Sequence, residues 1–351
     1  MRVDPLRIGT RAVGPGQPCF IIAEAGVNHN GDLDLAKRLI DAARMAGAEA
    51  VKFQTFAADR LVTPDAPKTE YQKLTTGSAE TQLEMLRRLE LPAEAHGPLM
   101  EYCKRRGLLF LSTPFDEECA DMLEALQVGA YKVSSGELTN LPLLAHIARK
   151  GKPLIVSTGM ASLGEVETAV ATVRDAGNPA LALLHCVSNY PAAPQDVNLR
   201  AMRTLELAFG RPVGYSDHTM GIEVSIAAVA LGACIIEKHF TVDRSLPGPD
   251  HQASLVPDEL AALVRGIRNT EAALGDGCKR PAMSEANTAA AARRSLVAAR
   301  DLPAGIQLTD DLLALRRPGT GLPPSARPYV VGRKLRRAVL KGTQLMWDLF
   351  A

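Results

Sequence analysis

The residues able to do chemistry collect where short apolar runs end. Residues 212–215 and 234–236 are two such runs, and they lead into His218 and His239. Between them, residues 222–232 are rich in Ala, Val and Ile at helical spacing. The three pieces read as strand, helix and strand. Parallel strands start and finish together, so both imidazoles would sit on one rim, within reach of one metal ion. Asp217 and Glu237 lie beside them, and Asp250 follows in the run from Pro247. Two unrelated structural histidines are the alternative. Repetition in successive units, each beside a carboxylate, favours a shared metal or substrate site.

Two lysines, Lys52 and Lys132, stand inside otherwise apolar runs on different expected strands. A buried ammonium is costly unless it is paired. Internal salt bridges are one reading, with Glu24 and Glu137 available as partners. A ligand-anion site is the other. Two ammoniums, nearby hydroxyls and a cation would together hold a phosphate and a carboxylate.

The elements that must position these groups repeat. Apolar runs at residues 20–23, 50–56, 108–112, 130–134, 154–157 and 181–186 precede the two histidine runs, and helical patterns separate them. A long polar loop is expected after the second strand, before helical stretches at 80–89 and 93–106. Strands without alternation are buried on both faces, as in a parallel sheet. Eight strand–helix units in about 260 residues match a (β/α)8 TIM barrel. A doubly wound sheet would want a glycine-rich phosphate turn after the first strand, and residues 26–31 do not form one. Glu24, Lys52, Gln54, Thr113, Lys132, Ser135, Ser157, Tyr190, Ser216, His218, Glu237 and His239 all fall at or just past C-terminal strand halves. Barrel enzymes build their sites on that rim.

Four segments follow: an N-terminal hairpin or cap at 1–18, the barrel at 19–275, a polar linker at 276–293, and a small β-rich domain at 294–351. Within the last, residues 295–299, 312–315, 329–331 and 337–340 read as short β-like pieces. That domain is basic, but no aromatic residues interleave with its charges. Net charge is +1 over 351 residues and aromatics are scarce, which argues against nucleic-acid binding. Six scattered cysteines, no membrane-length apolar run and no signal-peptide pattern point to a reducing cytoplasm.

Motif after motif, the chain resembles the sialic acid synthase family. These nonulosonate synthases join phosphoenolpyruvate to a six-carbon acetamido sugar. The carriers are Ile22-Ala-Glu-Ala-Gly-Val-Asn-His-Asn-Gly, Val51-Lys-Phe-Gln-Thr, Phe110-Leu-Ser-Thr-Pro-Phe, Tyr131-Lys-Val-Ser-Ser-Gly-Glu, His185-Cys-Val-Ser-Asn-Tyr-Pro, Gly214-Tyr-Ser-Asp-His-Thr, Glu237-Lys-His-Phe-Thr and Pro247-Gly-Pro-Asp. The C-terminal part resembles that family's antifreeze-like (SAF) domain. The resemblance implies His218 and His239 as ligands of manganese or magnesium. It implies Lys52, Thr113, Lys132, Ser135, Ser157 and Ser216 around phosphoenolpyruvate, and Gln54, Phe115, Tyr190 and Asp250 around the sugar. Glu24 and Glu237 are implied as the carboxylates nearest the chemistry. Arg317 would reach the N-acetyl group across a domain-swapped homodimer.

The activity implied is condensation with an N-acetylmannosamine-type sugar to give N-acetylneuraminate. The alternative acceptor is 2,4-diacetamido-2,4,6-trideoxy-mannose, giving N,N'-diacetyllegionaminate. Ser78 and Ser188 stand where users of N-acetylmannosamine often have Asn. Residues 66–73 and 80–86 are similar to members that act on diacetamido sugars or serve spore-coat polysaccharide. A metal-dependent hydrolase would want a His-x-His pair on the first strand, and Asn28-His29-Asn30 supplies none. A non-catalytic carbohydrate-binding protein is the third class.

Overall fold

Eight short apolar segments form one parallel sheet in the computed structural model, which describes residues 3–178 and 180–351. A hairpin precedes them, β1 (Leu6–Ile8) and β2 (Arg11–Val13), paired antiparallel. The sheet comprises β3 (Phe20–Gly26), β4 (Ala50–Thr55), β5 (Leu109–Pro114), β6 (Tyr131–Val133), β7 (Leu154–Ser157), β8 (Leu181–Cys186), β9 (Val213–Asp217) and β10 (Ile235–His239). Hydrogen bonding runs in the order β5, β4, β3, β10, β9, β8, β7, β6, and β5 packs beside β6, so the strands form a ring. The fold is a (β/α)8 TIM barrel.

Pleating sorts the side chains into two layers. Phe20, Ile22, Ala50, Leu111, Ile155 and Ile235 fill the barrel interior. Leu6, Ile8 and Val13 of the hairpin join that cluster. The alternate residues, among them Ile21, Val51, Phe110, Val156 and Ile236, pack outward onto the helices. Helix boundaries follow local chemistry. Leu33–Ala46 starts where the Asp32 side chain accepts from two backbone N–H groups and stops at Gly47 in the left-handed region.

The same alternation separates two sets of charges on β9 and β10. Ser216 and Glu237 belong to the interior face, whereas Asp217 and Lys238 belong to the helix-facing layer. The Lys238 ammonium lies 2.9 Å from Asp217 Oδ2. Asp217 also accepts from Tyr215, from the Thr219 backbone and hydroxyl, and from Ser225. Asp217 therefore does not flank the histidines, as its position in the sequence suggested; a one-residue step in a strand reverses the face.

Beyond Gly275 the chain forms a second compact unit, Asp276–Ala351. It carries a helix, Ala286–Ala292, and an antiparallel pair, β11 (Ser295–Ala298) and β12 (Leu313–Arg316). Its own core includes Leu296, Leu308, Val330, Leu345 and Phe350. Residues 329–331 do not form a strand. Arg327–Val330 is a helical turn with Pro328 in its first turn, where the missing N–H costs nothing. Residues 337–340 contribute only an isolated bridge between Val339 and Leu302. Arg317 follows β12 and is exposed. Five cysteines are buried and free, and Cys278 is exposed. No helix among the described residues is long and apolar enough to cross a membrane.

Replacing Lys238 with Met should strand the Asp217 carboxylate inside the helix layer. The expected loss is about 3–5 kcal/mol of unfolding free energy, read from denaturant titration. A loss below about 1 kcal/mol, the range of an exposed pair, contradicts this assignment.

Candidate active site

Strand register assembles the site. Glu24 on β3 is aligned with Lys52 on β4 and with His239 on β10. Glu237 on β10 is aligned with Ser216 on β9, and Gln54 with Thr113. The β3–β4 ladder slips between Glu24 and Gly26, a local irregularity of the kind that re-aims side chains at barrel rims. Gly26 has a φ of 53°, and a Cβ there would lie 3.3 Å from both Glu24 Oε1 and His239 Cε1. The absence of a side chain lets these groups and Gln54 close around one spot.

Both buried lysines are paired. Lys52 Nζ lies 2.8 Å from Glu24 Oε2 and donates to Thr113 Oγ1 at 3.0 Å. Lys132 Nζ lies 3.2 Å from Glu237 Oε1, which also accepts from Ser216 Oγ at 3.1 Å. Glu237, not Glu137, is thus the partner of Lys132. Glu137 instead accepts from Asn140 at the edge of the rim. The pairs satisfy the lysines without using all the polar atoms. Glu237 Oε2, Ser157 Oγ and Ser134 Oγ are buried without a hydrogen-bond partner. Such orphans are expensive unless a ligand or water completes them.

The two carboxylates titrate apart. Burial pushes Glu24 up to about 7, although Lys52 pulls the other way. Burial also works against charge at Glu237, but Lys132 and Lys52 outweigh it and hold that carboxyl below its usual range. Burial lowers Lys132, while the charges of Glu237 and Glu24 more than offset burial at Lys52 and raise it. One carboxylate is therefore firmly ionised, and the other sits near the point where it exchanges a proton at neutral pH.

His218 and His239 come together with ring centroids 5.5 Å apart. Tyr190 touches both, at 4.0 Å from His218 and edge-on at 5.5 Å from His239. Its other side meets Tyr71 at 5.1 Å. A neutral His218 that donates Nδ1–H to the Val187 carbonyl, 2.7 Å away, keeps its lone pair on Nε2. His239 Nδ1 is buried without a hydrogen-bond partner, and Asp250 Oδ2 is 4.0 Å away. Burial, then the charges of His218, Lys52 and Lys132, hold His239 well below the usual histidine range. Burial raises Asp250 to about 6. His239 is thus held as a neutral imidazole, whereas at His218 burial is outweighed by Cys186, 3.7 Å from Nδ1, and by the Val187 carbonyl, which push it up, so a cation there competes with a proton. Among the described residues no cluster of three or more His, Cys, Asp or Glu is placed to hold a metal ion. The histidine pair therefore fits a cation that takes its remaining ligands from water and a bound molecule, not a closed structural cage.

Ser135 and Ser188 meet at Gly159. The Gly159 N–H donates to Ser135 Oγ at 3.0 Å, and a Cβ at Gly159 would come within 2.8 Å of that oxygen and collide with Ser188 Oγ. Phe115 packs edge-on against Phe56 at 6.0 Å. Tyr71 was not singled out from the sequence. Thr69 with Gln72 three residues on is the capping-box pattern that could have revealed its helix, Glu70–Thr76.

A profile described as "NeuB family" matches residues 39–279, and one described as "SAF domain" matches residues 293–351. A Legionella pneumophila protein named N,N'-diacetyllegionaminic acid synthase is 52% identical over 97% of each chain. A Campylobacter jejuni protein of the same name is 49% identical, over 86% of this chain and 91% of its own. The crystal structure of an N-acetylneuraminic acid synthetase from Leptospira borgpetersenii, in complex with citrate, superposes with a TM-score of 0.72 at 39% identity. It covers 82% of this chain and 95% of its own.

Proposed function

The chain belongs to the NeuB family of nonulosonate synthases, and from that membership we propose that it condenses phosphoenolpyruvate with an open-chain acetamido sugar, giving a nine-carbon acid and phosphate. The acceptor proposed is 2,4-diacetamido-2,4,6-trideoxy-mannose. Its support is the two relatives named for N,N'-diacetyllegionaminic acid, together with Ser78 and Ser188 in the chain.

The observation that carries the reading is the pair of buried ammoniums, Lys52 and Lys132, set on the interior faces of two strands, 2.8 and 3.2 Å from the carboxylates of Glu24 and Glu237. The ammoniums balance the phosphate and carboxylate of phosphoenolpyruvate. Thr113, Ser135, Ser157 and Ser216 add hydrogen bonds, and the unpartnered Ser157 hydroxyl gains an acceptor. Gln54, Phe115, Tyr190 and Asp250 line the acceptor side. A divalent manganese or magnesium ion held by His218 and His239 supplies Lewis acidity toward the aldehyde oxygen when bound.

The methylene carbon of phosphoenolpyruvate attacks the aldehyde carbon, and positive charge develops at the former enol carbon. Glu237, held ionised, stabilises that charge. Glu24 accepts a proton from the water that adds there, a role suited to a carboxyl titrating near 7. The tetrahedral carbon then expels phosphate by C–O cleavage, and Lys52 and Lys132 neutralise the departing dianion. In a domain-swapped homodimer, Arg317 of one copy would bind the N-acetyl group held by the other.

Phosphate release should be followed with phosphoenolpyruvate, manganese and a small panel of acetamido sugars. Release is expected fastest with the diacetamido sugar and abolished in His218→Ala. Fastest release with N-acetylmannosamine transfers the assignment to an N-acetylneuraminate synthase. No release with any sugar, alongside cleavage of an ester or amide, refutes the synthase.

The pH dependence has a defined sign. Glu24 and Asp250 are raised, to about 7 and about 6, so both gain protons as pH falls through that window. Activity is expected to drop on the acid side by roughly tenfold per unit below about 6. Equal rates at pH 5 and pH 8, with metal in excess, contradict these roles.

A further inference from the structure

Helix Glu70–Thr76 lies in the stretch expected as a polar loop, and it has almost no apolar anchorage. Its only buried residue is Gln72, and Leu74 is 86% exposed. A seven-residue helix is not stable in water by itself. Polar contacts hold it instead. The Lys68 side chain is 2% exposed, and its Nζ donates to Thr76 Oγ1 at 2.8 Å, the Gly77 carbonyl at 3.0 Å and Glu80 Oε1 at 2.9 Å. An ammonium has three N–H donors, so this one is fully used. The contacts tie Lys68, just ahead of the Thr69 N-cap, to the residues at and beyond the helix end. Glu80 also takes Arg88 at 2.8 Å, which fastens the clasp to the next helix, Gln82–Leu89. At the N-terminal end, Gln72 Oε1 accepts from the Thr69 N–H at 3.0 Å.

The inner side of the helix faces the site. The Tyr71 ring meets Tyr190, and Tyr190 stacks on His218. Burial, then the charge of Asp250, pushes the Tyr71 hydroxyl up, as expected if the two groups share one enclosure. We infer that Lys68 is a positioning residue for the acceptor side of the site: it clasps residues 68–80 where Tyr71 backs Tyr190 against His218. The inference rests on the acetamido-sugar reading above. A buried ammonium has few arrangements that satisfy it, and drawing the segment open strands its acceptors. The closed position is thereby defined without a hydrophobic face, which suits a segment that must release to admit a sugar.

The test compares wild type, Lys68→Met and Glu80→Gln as full chains. Met keeps the stem length and removes the three donors. Gln keeps an acceptor and removes the charge, and it serves alone if Lys68→Met does not fold. In the ligand-free protein, amide hydrogens of residues 69–80 should exchange at least ~10-fold faster in Lys68→Met, with β3 unchanged. The KM for the acceptor sugar should rise ~10-fold or more while that for phosphoenolpyruvate stays within about twofold, with smaller changes in Glu80→Gln. Unchanged exchange in both variants overturns the clasp. Faster exchange with both KM values moving together, or neither moving, overturns the positioning role. If the wild type turns over no acetamido sugar, the functional reading and the acceptor role fall together, while the exchange result still decides whether the clasp exists.

Discussion

Two ammonium groups buried inside a barrel impose the constraint on which the rest of this structure depends. Lys52 and Lys132 are each 3% exposed, and neither could remain charged there alone. Glu24 and Glu237 compensate them, and the charge of Glu237 also acts on Glu24 and Lys52. The compensation is uneven. One carboxylate is held ionised, the other is raised to about 7, and one oxygen of Glu237 has no hydrogen-bond partner. With Glu24 partly protonated near neutral pH, the two ammoniums are not fully balanced, and they and the unpartnered Ser157 hydroxyl gain from an anionic ligand. That is the electrostatic character a phosphoenolpyruvate site requires.

Pleat and register convert this requirement into geometry. Side chains separated by one residue on a strand serve opposite layers, so Glu237 and His239 face the site while Lys238 between them is locked to Asp217 in the helix layer. The interior layers below, capped by Leu6, Ile8 and Val13, are wholly apolar and give the charged rim a rigid floor. Positions above the strand ends are set by weaker means. Helix Glu70–Thr76 is held by the Lys68 ammonium, the Gln72–Thr69 cap and a ring contact rather than by an apolar face.

Much of the architecture was legible because buried parallel strands leave continuous apolar runs, and because polar residues within those runs have few structural reasons to be there. His218, His239, Lys52, Lys132 and Glu24 stand out on that ground alone. Partnership was less legible. Glu137 is nearer to Lys132 in sequence, yet the ring brings Glu237 to it from a strand more than a hundred residues away. Asp217 looked like a companion of His218 because adjacency in sequence says nothing about face. Tyr71 carries no signal in the sequence pattern, because its helix has no apolar periodicity. Tyr329-Val330-Val331 has the composition of a strand, but Pro328 fits the first turn of a helix, and that decides the local structure.

The central claim is that water adds to the enol carbon under Glu24 while the two lysines carry away phosphate with its bridging oxygen. Phosphoenolpyruvate labelled with heavy oxygen at the C–O–P bridge tests it directly. The label is expected wholly in the released inorganic phosphate, detected by mass spectrometry or by the isotope shift in its phosphorus resonance. Label retained in the keto acid would mean P–O cleavage and would contradict the account.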